Sequence, residues 1–142
     1  DYPHLPARKE FHRMCEEFGW KGKLFKEERE EAYELFKRAL VQQFNEIYGM
    51  DENNITCWQY LCEILRVDPI PSTLEECMDA IRDVYVNLVD LVDTHRTGER
   101  VEVFGSLQEL REYTWRTRKF FPLHDALSGG ILKYLLRKIN GG

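Results

Sequence analysis

The amino-acid sequence predicts an all-α fold, a compact single-domain bundle of about six helices, and three observations lead to it. Apolar side chains recur every three or four residues along most of the 142-residue chain, which is the period of a helix face. Two Ser-x-x-Glu capping boxes mark helix starts. Only one stretch, 101–104, shows strand-like alternation, and an isolated strand cannot form a sheet, so we expect at most one short extended segment there.

The first two predicted helices occupy 7–18 and 27–48. Each carries an apolar stripe at helical spacing and is followed directly by a glycine, Gly19 or Gly49, which favours termination. The acidic opening of the second helix suits the positive end of the helix dipole.

The middle of the chain predicts two more helices, at 55–65 and from 72 to about 93. Asn54 is suited to cap the first, and a Ser-x-x-Glu box opens the second at Ser72. Two prolines between these helices require an extended connection. The β-branched residues at 84–92 leave a strand open as an alternative to the second half of the long helix.

The last two predicted helices follow a turn at 94–98. The second capping box, at Ser106, opens a helix that runs to about Arg118. The final helix follows Asp125 and carries an apolar stripe as far as Ile139.

Composition excludes several classes of protein. Hydrophobic residues make up 43% of the chain and charged residues 32%, which favours a folded core over a disordered or fibrous protein. No apolar run reaches the roughly 18 residues that span a membrane, and no signal peptide opens the chain, so we expect no membrane partner. Because residue 1 is not methionine, we expect 1–142 to be one domain excised from a longer protein.

The four cysteines, Cys15, Cys57, Cys62 and Cys77, lie in predicted helices rather than in short loops, and we expect reduced, buried thiols. Reduced thiols predict an intracellular protein, either nuclear or cytoplasmic. Their spacing does not suit zinc, because no C-x-x-C occurs and residues five apart point to different sides of a helix. We therefore predict no metal site.

Motifs for catalysis and cofactor binding are missing from the sequence. It contains no phosphate-binding glycine loop, no HExxH, no EF-hand loop and no GxSxG elbow, and its four histidines lack helical metal-ligand spacing. We therefore expect no cofactor and no enzymatic activity. A small enzyme of unfamiliar type, with a Cys–His nucleophile that nothing local supports, stays open as a third possibility.

One unusual segment places three polar residues at every third position among aliphatic ones: Asn87, Asp90 and Asp93. The simpler interpretation is a mostly buried helix that shows a polar stripe to solvent. The functional interpretation is that Asp90 or Asp93 receives a basic loop or partner, with Arg96 or Arg100 as candidates.

A second unusual segment, 113–122, contains four aromatic residues and three cations. Trp115 falls toward the edge of its helix's buried stripe, and an aromatic beside arginine is the composition of an interface hot spot or a nucleic-acid stacking surface. The alternative is that the aromatics are core and the cations are surface. We predict a partner-binding surface formed by five residues: Trp115, Arg116, Arg118, Lys119 and Phe120.

These segments also carry a resemblance to a known type of domain. Together with Trp58 and the two prolines at 69 and 71, the residues at 86–93, 110–114, 119–122 and 132–139 resemble a recurrent helical domain of uncharacterised fungal proteins, mainly from filamentous ascomycetes. The resemblance spans about 35–139. It implies a fungal, intracellular, lineage-specific domain, and it transfers no catalytic residue.

The leading predicted function is a non-enzymatic protein–protein interaction module that binds another protein or a second copy of itself. The alternative is a DNA- or RNA-associated domain, because residues 1–93 carry 11 basic and 20 acidic residues whereas 94–142 carry 9 and 5. Five cations would contact phosphates: Arg116, Arg118, Lys119, Arg137 and Lys138. The overall pI of about 5.4 argues against a nucleic-acid partner.

Overall fold

Residues 26–125 and 127–141 are described by a computed structural model, in which the described part of the chain forms six helices and one two-stranded sheet. In chain order the elements are α1 (Lys26–Tyr48), α2 (Ile55–Ile64), α3 (Leu74–Ile81), β1 (Tyr85–Val86), α4 (Leu88–Thr97), β2 (Val103–Phe104), α5 (Leu107–Thr117) and α6 (Gly130–Gly141). The all-α prediction is confirmed. The predicted helix at 7–18 lies outside the described residues.

Helix α1 lies against α2, α4 and α6 and supplies much of the core. Phe44 and Tyr48 are fully buried, and the Tyr48 hydroxyl donates to the Leu91 carbonyl of α4 at 2.6 Å. The helix ends where predicted because Gly49 adopts a φ of +88°, and a Cβ at that position would lie 2.5 Å from the Cys57 sulfur.

Helices α2 and α3 begin at capping residues. The Asn54 side chain accepts a hydrogen bond from the Thr56 amide, so the predicted cap of α2 is confirmed. The predicted cap of α3 is wrong by one residue: Thr73, rather than Ser72, accepts from the amide of Glu76. Thr73 and Glu76 have the same three-residue spacing, so the sequence offers two overlapping caps.

The long helix predicted from 72 to about 93 is wrong, because the chain breaks between α3 and α4. β1 lies in the gap and pairs with β2 in antiparallel register, with Tyr85 opposite Phe104. Asn87 then starts α4 by accepting a hydrogen bond from the Asp90 amide. The helical spacing of apolar residues continues across the break, so periodicity alone does not reveal it. The strand considered within 84–92 is present at 85–86, and only 103–104 of the segment predicted at 101–104 forms a strand. The described part of the chain therefore has two short extended segments, which pair with each other, where the sequence predicts at most one.

The turn predicted at 94–98 is instead the last turn of α4, which Gly98 ends at a φ of +75°. Ser106 caps α5 as predicted and accepts from the Glu109 amide. Helix α6 begins later than its apolar stripe suggests, because Gly129 and Gly130 make a close approach to the loop after α1. A Cβ on Gly129 would lie 2.8 Å from the Met50 backbone.

One apolar core joins these elements, and two of the cysteines belong to it. Cys62 and Cys77 are fully buried, whereas Cys57 is half-buried and Cys15 lies outside the described residues. All three described cysteines are free thiols. Burial, together with neighbouring Cys77, raises the pKa of the Cys62 thiol to about 12. Within the described ranges, no helix combines the length and apolar character needed to cross a membrane.

Candidate partner-binding surface

The end of α5 places a large aromatic side chain in water. Trp115 is 64% exposed, although most tryptophans are largely buried. The chain then turns back so that the Phe120 ring meets the Trp115 ring edge-on, with centroids 5.1 Å apart and planes at 76°. Edge-to-face geometry is favourable for aromatic pairs, so the two rings form one ordered apolar feature.

One arginine lies against this ring pair, and a second lies over the neighbouring Tyr113 ring. The Arg118 guanidinium lies over Trp115, 5.8 Å from the ring centroid, and that of Arg116 lies over Tyr113 at 5.5 Å. Both arginines are exposed. Among the described residues, neither guanidinium forms an ion pair with a carboxylate. Arg118 therefore presents an exposed guanidinium beside the Trp115–Phe120 pair, and Arg116 presents one beside Tyr113.

Lys119, the third cation of the predicted surface, is bound to groups of its own chain. Its Nζ atom donates to Asp90 Oδ1 and to the Tyr113 hydroxyl, each at 2.9 Å, and the Tyr113 hydroxyl donates to Asp90 Oδ2 at 2.6 Å. Burial would lower the pKa of Lys119, but the hydrogen bonds to Tyr113 and Asp90 outweigh it and raise that pKa above its usual value. The charge of Lys119 is therefore used to hold the loop after α5.

The Asn87 side chain also holds the loop after α5. Its Nδ2 atom donates to the Lys119 carbonyl at 2.9 Å and to Thr114 Oγ1 at 3.1 Å. Asn87 and Asp90 of the polar stripe thus bind α5 and its loop, and Asp93 is buried, so the solvent-facing interpretation is wrong. Asp90 does receive a basic loop, but the cation is Lys119 and not Arg96 or Arg100.

The aromatic residues of 113–122 divide between the core and the surface. Tyr113 is buried and packs on Phe104 with centroids 4.9 Å apart, and Phe121 is buried in edge contact with Phe44. Trp115 is exposed and Phe120 is half-buried. Helical spacing explains why Tyr113 is buried and Trp115 is not. Tyr113 follows the buried Leu110 by three residues and shares its helix face, whereas Trp115 lies on another face.

The cations proposed to contact nucleic acid are also divided. The Nζ atom of Lys138 donates to the carbonyls of Ile81 and Val84 at 2.5 and 2.6 Å, where α3 ends. Burial lowers the pKa of Lys138 to about 8. Arg137 is exposed. Two of the five predicted cations, Lys119 and Lys138, therefore bind groups of their own chain.

Two of the depressions on the described part of the chain combine side chains from several segments. One, of about 400 Å³, is lined by both apolar and polar side chains: Gln43, Glu46, Ile47, Tyr60, Val92, His95 and Arg96. The other, of about 180 Å³, adjoins the Lys119–Asp90 pair. Sequence reasoning missed both, since each combines side chains that are distant along the chain. Within the described ranges, no three histidine, cysteine or acidic side chains are grouped for metal binding.

Comparison with models of protein families, with curated proteins and with solved structures finds no match for this chain. The resemblance to a helical domain of filamentous fungi stays a prediction.

Proposed function

We propose that this chain is a non-enzymatic protein-interaction module of an intracellular fungal protein, and that its partner packs against the surface formed by Trp115, Phe120, Arg116 and Arg118, here termed the Trp115 surface. The observation that carries the proposal is the 64% exposure of Trp115 beside a second aromatic ring. Tryptophan and arginine are the residues most enriched in binding hot spots, and burying an indole on association is strongly favourable.

The packing beneath the Trp115 surface supports the proposal. Asn87 and Lys119 fix the loop that returns Phe120 to Trp115, through hydrogen bonds to the loop's backbone and to a buried carboxylate. A surface that is already ordered loses little conformational entropy on binding, so more of the contact energy contributes to affinity.

Nucleic acid is the weaker candidate partner. A phosphate-binding surface needs several cations facing outward, and Lys119 and Lys138 face inward. The chain as a whole is acidic, with a formal net charge of −5.

Affinity capture from an extract of the native host, with the domain as bait, tests the proposal. Trp115→Ala is the test variant, and Leu35→Ala is its matched control because Leu35 is 65% exposed on α1. We expect a protein that binds the wild type and the Leu35 variant, is lost with Trp115→Ala, and survives nuclease treatment. Equal capture by both variants would show that the Trp115 surface is not the binding site, and loss on nuclease treatment would favour the nucleic-acid alternative.

A further inference from the structure

Arg118 occupies a backbone conformation that suits glycine. Its φ and ψ are 58° and 31°, in the left-handed region, directly after α5. Glycine is the usual residue where a helix ends in this way, because any Cβ is crowded there. In the described part of the chain, only Arg66 and Arg118 are non-glycine residues with a positive φ. The arginine side chain at position 118 is therefore kept at a cost in backbone free energy.

The conformation of Arg118 determines what the Trp115 surface presents. The left-handed turn ends α5 and directs the chain back, so that Phe120 reaches one side of the Trp115 ring system while the Arg118 guanidinium lies 5.8 Å from its centroid. A cation and two aromatic rings therefore converge at one point of the surface.

Neither Arg116 nor Arg118 is paired with a carboxylate among the described residues, although α5 itself carries two glutamates. The nearby acids of α5 have hydrogen-bond partners on their own helix: Glu109 contacts Ser106, and Glu112 accepts from Gln108. Arg116 and Arg118 rest on aromatic faces without a carboxylate partner among the described residues. Guanidinium groups are weakly hydrated and bind carboxylates through paired N–H donors, so they are suited to receive acidic side chains.

We infer that the partner of the Trp115 surface is an acidic segment of another protein, in which an apolar side chain packs on Trp115 and Phe120 while neighbouring carboxylates bind Arg116 and Arg118. This inference rests on the proposed function and adds the chemistry of the partner. A polyanionic backbone is disfavoured, because Arg118 is the one cation found over the ring pair among the described residues, while Lys119 is bound to Asp90.

The test uses a short labelled peptide with a central Leu-Phe pair between runs of glutamate, and its counterpart in which glutamine replaces every glutamate. Binding to the full chain is measured by fluorescence anisotropy. Arg118→Gly is the decisive variant, because it removes the guanidinium from a position where glycine is accommodated and the fold is retained. Arg66→Gly is the matched control, since Arg66 is exposed and has a φ of 65°.

We expect the glutamate peptide to bind at least about tenfold more tightly than the glutamine peptide, and Arg118→Gly to weaken it about fivefold to tenfold. Arg66→Gly should leave its affinity unchanged. Equal binding of the two peptides, no binding of either, or equal effects of the two glycine variants would each overturn the acidic-partner inference. So would tighter binding of a single-stranded oligonucleotide, or self-association of the chain that Arg118→Gly abolishes.

Failure of this inference and failure of the proposed function give different results. If only the partner chemistry is wrong, capture of the host protein is still lost with Trp115→Ala but is unchanged with Arg118→Gly. If the Trp115 surface is not a binding site at all, Trp115→Ala leaves that capture unchanged.

Discussion

Replacing Lys119 with methionine tests whether the network beneath the Trp115 surface stabilises the fold. The substitution keeps most of the aliphatic stem and removes the ammonium group that contacts Asp90 and Tyr113 at 2.9 Å. Asp90 is then left as a largely desolvated carboxylate, since its side chain is only 12% exposed. Its remaining side-chain contact is the hydrogen bond from the Tyr113 hydroxyl.

The magnitude follows from the burial of the pair. Breaking a fully buried ion pair costs about 3–5 kcal/mol, whereas an exposed pair contributes about 0.2–1 kcal/mol. The Lys119 side chain is 28% exposed, and the cavity beside the pair admits water, so screening places the expected loss between these limits. We expect Lys119→Met to lower the free energy of unfolding by about 2 kcal/mol.

Urea unfolding measures this loss as a lower midpoint at an unchanged slope. Lys133→Met is the matched control, because Lys133 is exposed on α6, and it should change stability by no more than about 0.5 kcal/mol. Adding Asp90→Asn to Lys119→Met should recover part of the loss, since the amide leaves no unpaired charge. Equal midpoints for the two lysine variants would refute the proposed role of the network.

Three further outcomes are expected from the structure. Arg66→Gly should raise the free energy of unfolding by about 0.5–1 kcal/mol, because it removes an arginine from the left-handed region. Arg118→Gly should raise it by about 0.5 kcal/mol less, because this variant also loses the contact with Trp115. Equal increases in urea unfolding would argue against a stabilising contact between Arg118 and Trp115. Asn87→Ala should cost about 2 kcal/mol, since it removes a helix cap and two hydrogen bonds to α5 and its loop, and a loss no greater than that of a simple cap would contradict this. The pKa of Lys138 falls from 10.5 to about 8 on folding, so the unfolded chain binds more protons between these pH values and the contribution of Lys138 to stability rises with pH. The free energy of unfolding of the wild type, relative to that of Lys138→Met, should therefore increase by about 1–2 kcal/mol from pH 7 to pH 10. A decrease over this range would show that the sign is wrong.

Local signals in the sequence account for much of the fold. Asn54 and Ser106 begin helices as predicted because each side chain satisfies an amide within three residues along the chain. The break before α4 could not be predicted in the same way. Asn87 lies inside an aliphatic run that keeps helical spacing. Its side chain caps α4 while also donating to Thr114 and to the Lys119 carbonyl, which are 27 and 32 residues away.

The candidate site shows the same contrast between local and distant information. The edge position of Trp115 on its helix agrees with the exposure of its side chain in the structure, and its role in binding stays a prediction. The inward role of Lys119 depends on Asp90, 29 residues earlier, and nothing in the composition of 113–122 distinguishes Lys119 from its arginine neighbours. Chemistry does distinguish them, since an ammonium group forms a compact ion pair whereas guanidinium planes stack on aromatic rings.

Residues that lower the stability of the fold and residues that raise it lie close together at the end of α5. An exposed indole and a left-handed arginine are both unfavourable for an isolated chain, and they lie three residues apart at the end of α5. Directly beneath them lies a hydrogen-bonded ion pair of low exposure, with Asn87 holding the loop backbone. Strained residues persist only where the surrounding structure fixes their conformation, and they cluster at functional sites. A stabilised scaffold carrying a locally costly surface is therefore better explained by binding at the Trp115 surface than by the needs of folding.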